Sequence, residues 1–249
     1  MSALAFPVVA ELSRTSVGSG TGERRLVVTI DGTAGTGKTT VARALARLVG
    51  ARYLDTGAMY RAAALLTMRE GLDLEDHEGI ARAVREADIH FRWDQDAPVL
   101  QARGRDVPDD ELRHPDVTRI VSPVAAIREV RSTLVARQRR IGEIHPRLVS
   151  EGRDQGTVVF FDADVKFYLD AAPRVRAERR AGELRCRGIG CDVGAIEAEL
   201  VARDRMDSAR GSGPLAKPAD AVEVDTSDLD LYGVVDRLVG IVRSLVPSA

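Results

Sequence analysis

Hydrophobic positions along the chain follow two rhythms. Leu26-Val27-Val28-Thr29-Ile30 is a short apolar, β-branched run ending at Asp31-Gly32. A run of that length without polar alternation predicts a strand covered on both faces, as in a parallel sheet. After a glycine-rich turn, Val41, Leu45, Leu48 and Val49 recur at helical spacing. Arg52 to Leu54 predicts a second strand, Asp55-Thr56-Gly57 a turn, and Met59 to Glu70 a helix with Gly71 as its C-cap.

Between about Asp88 and Val107 the rhythm shifts. Ile89, Phe91 and Trp93 alternate with polar residues, and Val99 and Leu100 follow a Gln-Asp-Ala-Pro turn. That pattern predicts a small antiparallel insertion between helical segments. Helical patterning resumes at Pro115 and includes Ile127 to Ile141. Arg147 to Glu151 and Val165 to Leu169 predict two further core strands, and two helices flank Arg185 to Gly190. A strand at Ala221 to Val224 and a helix beginning near Asp228 close the chain. Strands alternating with helices define an α/β fold with a mainly parallel sheet.

Composition narrows the function classes. At 249 residues and 44% hydrophobic content the chain can bury a substantial core. Its 36 basic and 38 acidic side chains give a net charge of −2, against a general polyanion binder and so against a nucleic-acid partner. Cys186 and Cys191 have no nearby histidine, which makes a poor zinc site; they read as reduced thiols of a cytoplasmic protein. No run approaches the roughly 20 apolar residues of a membrane helix. Met1 to Ala10 is apolar but lacks the basic residues that open a secretory signal. Met1 to about Glu23, rich in Ser, Gly and Thr, is expected to be a loosely ordered tail.

Gly32-Thr33-Ala34-Gly35-Thr36-Gly37-Lys38-Thr39 satisfies G-x-x-x-x-G-K-[ST] in full, between a buried strand and a helix start. Glycines allow close backbone approach and point successive N–H groups at phosphate. The helix N-terminus adds partial positive charge. Lys38 is expected to reach the β- and γ-phosphates and the Thr39 hydroxyl to ligate Mg²⁺, with Thr40 completing the nucleotide-contacting turn. The loop points to a nucleoside triphosphate, hence ATP and Mg²⁺, without naming an acceptor.

A GTPase would show an NKxD motif, and a mechanical ATPase an apolar run ending in an acid after a longer insertion. This chain instead continues with Arg61, Arg131, Arg153, Arg176, Arg179, Arg180, Arg203 and Arg210. Solvated helix faces account for most arginines by default. Several of these, however, fall at predicted strand ends or in glycine-flanked turns, where open α/β sheets bind ligands. Phosphoryl transfer between two anions needs such cations.

Three separated motifs carry a resemblance. Thr56-Gly57-Ala58-Met59-Tyr60-Arg61, Ser150-Glu151-Gly152-Arg153-Asp154-Gln155-Gly156-Thr157-Val158-Val159 and Arg203-Asp204-Arg205-Met206-Asp207-Ser208-Ala209-Arg210 resemble bacterial cytidylate kinases, in order, from about Val27 to the last helix. The resemblance implies transfer of phosphate from ATP to CMP or dCMP by a monomeric enzyme. It implies a P-loop NTPase-type three-layer fold over residues 24–249, with an acceptor-binding insertion at about 57–125 and a lid at about 180–210. By the same resemblance Arg61, Arg153 and Arg210, with Lys38, would be the catalytic cations, the three arginines holding the acceptor phosphate. Thr56, Arg131 and Asp154 would surround the cytosine, and Ser122, Arg203 and Asp207 the sugar. Arg176, Arg179 and Arg180 lead into the lid over the ATP phosphates.

Thr56 stands where many relatives carry Ser, and Gln155 where the residue is often apolar. Structural roles compete with these assignments. Asp154 could orient Arg153, Arg131 could lie on a solvated face with Arg128 and Arg137, and Arg203 and Asp207 could form an i,i+4 pair. Trp93 and Phe91 are expected to pack the insertion. A same-fold kinase for UMP, AMP or shikimate, and a nucleotide-binding module without catalysis, are the competing functions.

Overall fold

Every residue of β1 (Leu26–Gly32) is buried, the condition of a central strand in a sheet covered on both sides. The computed structural model describes residues 24–93, 98–186 and 188–246. The expected tail and most of the Gln95–Pro98 turn lie outside them. The sheet is completed by β2 (Arg52–Asp55), β6 (Arg147–Glu151), β7 (Val165–Asp170) and β8 (Val222–Asp225). Among the described residues its order is β2-β6-β1-β7-β8, with every pairing parallel. β3 (His90–Arg92), β4 (Val99–Ala102) and β5 (Arg105–Asp106) form a separate three-stranded antiparallel sheet. Phe91 lies opposite Leu100 in it, and Ile89, Phe91 and Leu100 are buried as the alternation predicts.

Two apolar layers sandwich the parallel sheet. Leu26, Val28 and Ile30 face α1 (Lys38–Leu48) and α9 (Leu231–Leu245). Val27, on the opposite face, joins a core shared by α2 (Thr56–Arg69), α3 (His77–Glu86), α5 (Pro115–Ala126) and α6 (Arg128–Ile144). Strand alternation sends Thr29 and Asp31 to the same face as Val27. Both are fully buried, so the polar end of β1 points into the interior just before the glycine-rich turn. A short helix, α4 (Asp109–Leu112), links the small sheet to α5. The hairpin α7 (Pro173–Cys186) and α8 (Val193–Ser208) packs on its own small cluster of Ala177, Ala181 and Ile196.

Several boundaries differ from the sequence expectation. The turn expected at Asp55-Thr56-Gly57 is absent, because α2 starts at Thr56. Asp55 ends β2 and caps α2 at once, accepting from Ala58 N at 2.9 Å. Helix α9 begins at Leu231 behind its Asp230 cap, three residues later than the expected start. Leu48, counted in the α1 stripe, is exposed. Helix α3 escaped the reading because alanines supply much of its buried face. A π-helical turn at Gln155–Val159 follows β6, with Phe160 N donating to Gln155 O at 2.7 Å; such turns favour functional sites. Among the described residues no helix is long and apolar enough to cross a membrane.

Leu238 of α9 is fully buried against the parallel sheet. Leu238→Ala is expected to lower unfolding stability by about 2–5 kcal/mol. Urea denaturation should register this as a lower midpoint with an unchanged slope.

Candidate active site

The glycine-rich turn at the end of β1 is shaped by steric necessity. Gly32 has φ 146°, and a Cβ there would lie 1.9 Å from the Leu169 carbonyl oxygen on β7, so only glycine fits. Gly37 caps α1 in the left-handed region without a side-chain cap. The first-turn N–H groups of α1 therefore remain available to an anion. Thr39 is half-buried in that turn and Thr40 is exposed. Lys38 is buried, its Nζ donating to Thr33 O at 2.5 Å and Thr36 Oγ1 at 3.3 Å. Burial, and then the nearby Arg153, bring Lys38 down to about 7 against the pull of Glu151, Asp204 and Asp31.

The outer side of the loop is pinned from the α7–α8 hairpin. Ala34 N donates to Asp204 Oδ1 at 2.9 Å, and Ala34 O accepts from Arg176 Nη1 at 2.8 Å. Arg176 also pairs with Asp204 at 2.5 Å and donates to Ala171 O at 3.0 Å. The three cations expected over the donor phosphates thus point in different directions. Arg176 is buried behind the loop. Arg179 donates to Thr226 Oγ1, Thr226 O and Leu229 O at 3.0, 2.5 and 3.2 Å. Arg180 pairs with Glu183 at 2.8 Å on the half-exposed face.

Asp31 joins this loop to the opposite side. Its carboxylate accepts from Gln155 N at 2.8 Å and Gly156 N at 2.7 Å, the start of the π-helical turn. Gly152 N donates to Ile30 O at 3.1 Å. Burial pushes the Asp31 carboxyl up to about 7, in spite of the two amides and Lys38. The residues between these ties, Arg153 and Asp154, project in different directions. Arg153 Nε meets Asp207 Oδ2 at 2.9 Å, whereas Asp154 pairs with Arg131. Asp154 therefore orients Arg131 rather than Arg153. Arg131 is buried, not solvated, and its guanidinium sits 5.8 Å from the Tyr60 ring centre. Gly213, at φ 58°, presses against this pair: a Cβ there would fall 1.9 Å from Arg131 Nη2.

Asp207 organises the remaining cations. It accepts from Ser122 Oγ at 3.1 Å and pairs with both Arg153 and Arg210. The i,i+4 pair with Arg203 does not form; Arg203 Nε and Arg210 Nε are buried without hydrogen-bond partners. Burial alone would raise Asp207, but Arg153, Arg210 and Arg203 hold it below its usual range. Burial followed by Arg113 brings Arg61 down to about 10, and burial followed by Arg153 does the same to Arg203. Arg61 donates to Thr118 Oγ1 at 2.8 Å and Leu112 O at 3.3 Å. Arg61, Arg153, Arg203 and Arg210 thus share one partly desolvated region in which Asp207 is a shared acid, an arrangement that a multiply charged anion would relieve.

Thr56 stands apart, its hydroxyl donating to Glu151 O at 2.6 Å. Glu151 Oε1 accepts from Tyr53 at 2.8 Å, and burial, then Glu151, push Asp55 up to about 6. Asp31, Glu151, Asp204 and Gly213 were not singled out in the sequence for these contacts. Asp31 carried a signal nonetheless, as a carboxylate in an otherwise apolar strand at the point where that strand meets the phosphate loop.

The family model described as cytidylate kinase matches residues 28–244. A cytidylate kinase of Nocardia farcinica is 48% identical over 223 residues, covering 90% of this chain and 96% of that protein. One from Rhodococcus opacus is 46% identical over 217 residues, covering 87% and 94%. A bifunctional pantoate ligase/cytidylate kinase of Synechococcus elongatus is 44% identical over 225 residues, covering 88% of this chain and 42% of that one.

Because Lys38 lies near 7 in the open site, a bound triphosphate must restore its proton. Nucleotide binding is expected to take up a proton at pH 8, and affinity to weaken as pH rises above about 7. Calorimetry in two buffers of different ionisation enthalpy measures that uptake. Lys38→Arg, which stays charged throughout, should remove it.

Proposed function

The chain belongs to the cytidylate kinase family, and we propose that it transfers the γ-phosphate of MgATP to CMP, and to dCMP, by direct in-line displacement, giving ADP and CDP or dCDP. The observation that carries this reading is the position of the arginine group around Asp207. It lies between the phosphate loop and the buried Arg131–Asp154 pair, with Arg153 electrostatically coupled to Lys38. The donor loop, an acceptor-phosphate cradle and a base-reading pair thus follow one another.

In this reading the N–H groups from Gly32 to Thr40, with Lys38, hold the β- and γ-phosphates. Thr39 would offer its hydroxyl to Mg²⁺, which neutralises charge on the donor phosphates when bound. Arg61, Arg153 and Arg210 grip the acceptor phosphate, for which planar guanidinium groups suit better than point charges. Ser122, Arg203 and Asp207 take the sugar. Thr56, Arg131 and Asp154 take the cytosine, Asp154 accepting from the exocyclic amino group that uracil lacks. Arg176 holds the loop in place, while Arg179 and Arg180 lie on the arm leading to the lid. Residues 24–249 then form one kinase domain with an acceptor insertion at about 57–125 and a lid at about 180–210. The enzyme is read as a cytoplasmic monomer acting on free nucleotides.

No general base is required, because the acceptor phosphate is itself an anionic nucleophile near neutral pH. The protein supplies alignment, charge compensation and exclusion of water.

ADP formation from MgATP should be fast with CMP and slow with AMP or shikimate. Lys38→Met is expected to lower kcat by about a thousandfold or more, comparable to losing a principal transition-state contact. Retained turnover in that variant, or a preference for AMP or shikimate, overturns the reading. Asp154→Asn keeps the shape but adds an N–H donor suited to uracil O4. It should narrow the CMP-to-UMP preference by about 10- to 100-fold, measured as a ratio of kcat/KM.

A further inference from the structure

Behind the Arg131–Asp154 pair the wall of the site is built from neutral polar side chains buried as deeply as the apolar core. Gln138, Ser150 and Gln155 are fully buried, and Tyr60 nearly so. Four elements bring them together. On α2, Tyr60 lies one turn after Thr56; on α6, Gln138 lies two turns after Arg131; Ser150 comes from β6 and Gln155 from the π-helical turn. Ser150 Oγ donates to Gln155 Oε1 at 2.8 Å, and Gln155 Nε2 donates to Gln138 Oε1 at 3.3 Å. The chain then ends on two unsatisfied groups: Gln138 Nε2 and the Tyr60 hydroxyl are buried without hydrogen-bond partners. Buried polar groups are almost always paired, so unpaired ones mark a place where something binds. The Tyr60 hydroxyl lies in the fields of Arg131, Asp154 and Arg210 and close enough to the Gln138 amide to feel it.

We propose that Ser150, Gln155 and Gln138 form a one-way donor relay that holds the Tyr60 hydroxyl as a hydrogen-bond donor toward the base of the acceptor. Tyr60 thereby becomes a specificity-determining residue for cytosine over uracil. This rests on the acceptor reading given above. The direction follows from the amides. Each glutamine oxygen is taken by the preceding donor, so Gln138 can present only N–H to Tyr60. The two groups are unpaired in the structure; when Gln138 Nε2 closes onto the phenolic oxygen, its N–H takes one of the two in-plane positions and leaves the hydroxyl hydrogen in the other, free to donate to the base. Cytosine offers an acceptor there at N3, while the O2 acceptor is common to both bases. Uracil offers an N–H at N3, which would face a hydroxyl unable to turn and accept. Gln155, adjacent to the base-reading Asp154, acquires a function in this arrangement that an apolar residue could not supply.

Tyr60→Phe removes one oxygen from a ring that otherwise stays packed. It is expected to lower kcat/KM for CMP about tenfold and leave UMP nearly unchanged, the effect of one neutral hydrogen bond. Gln155→Leu should lower the CMP-to-UMP ratio similarly, and should lower it no further in the Tyr60→Phe background, since both act through one hydroxyl. The KM for ATP should not move. A merely structural role would lower the melting temperature and leave the ratio intact. If Gln155→Leu does not fold, CMP and UMP dissociation constants of Tyr60→Phe, measured by calorimetry, decide the question. A wild-type enzyme preferring CMP together with Tyr60→Phe retaining that preference overturns the relay alone. A wild-type enzyme with no CMP preference overturns the relay and the acceptor reading together.

Discussion

One buried carboxylate links the two halves of this site. Asp31 sits at the inward-facing end of β1, and both of its oxygens are occupied by backbone amides of the turn after β6. The strand that delivers the phosphate loop is thereby tied to the segment that delivers Arg153 and Asp154. The distance from the phosphate loop to Arg153 and Asp154 is then set by sheet geometry and two short hydrogen bonds, not by flexible loops. Misplacing reactants by even 1 Å can be expensive in rate, and a pairing of adjacent parallel strands is the stiffest local reference the fold offers. The burial that pushes Asp31 up to about 7 is a consequence of the same placement, since the clamp works only where water is excluded.

Charge follows a complementary logic. Around Asp207 the protein places more cations than acid and withdraws them partly from water. Left alone this is unfavourable, as the depressed Arg61, Arg203 and Arg210 all record. Lys38 bears the same signature on the donor side. Anions entering the site would relieve both imbalances. The overall charge of −2 concealed this, because neutrality across the surface carries no information about local excess.

Features encoded in contiguous residues were the easiest to read. The loop from Gly32 to Thr39, the buried strand before it and the antiparallel alternation at Ile89 and Phe91 each depend on neighbours in sequence. Pairings across the fold were not legible in that way. Whether Asp154 meets Arg153 beside it or Arg131 on α6 depends on how the π-helical turn rotates the chain. Asp207 lies one turn from Arg203, yet it pairs with Arg210 three residues on and with Arg153, which the end of β6 brings across to α8. The continuous passage from β2 into α2 was missed because Asp55 reads equally well as a turn residue and as an N-cap. Motif resemblance supplied the acceptor-side residues; it did not supply the neutral polar wall behind them, which involves Gln138, a position outside all three motifs.

The α7–α8 hairpin illustrates how packing can divide one helix into a fixed and a freer part. The first half of α7 is bolted down: Arg176 reaches under the phosphate loop, and Arg179 grips the segment between β8 and α9. Beyond it, Arg180 has only a half-exposed surface pair, and the hairpin core buries just Ala177, Ala181 and Ile196, with Leu184, Val193 and Leu200 partly exposed around them. Exposed ion pairs contribute little, and a few buried alanines remove much less apolar area than the main cores do. Local opening is therefore cheapest at the far end of the hairpin, around Leu184 and Val193, before α8 reaches Asp204 and Asp207. A movement there would leave Arg176 and the loop geometry it supports undisturbed. Rigid contacts at the two ends of the hairpin, Arg176 and Arg179 on α7 and Asp204 and Asp207 on α8, with weaker ones at its far end, separate the precision of the site from the freedom of the hairpin tip.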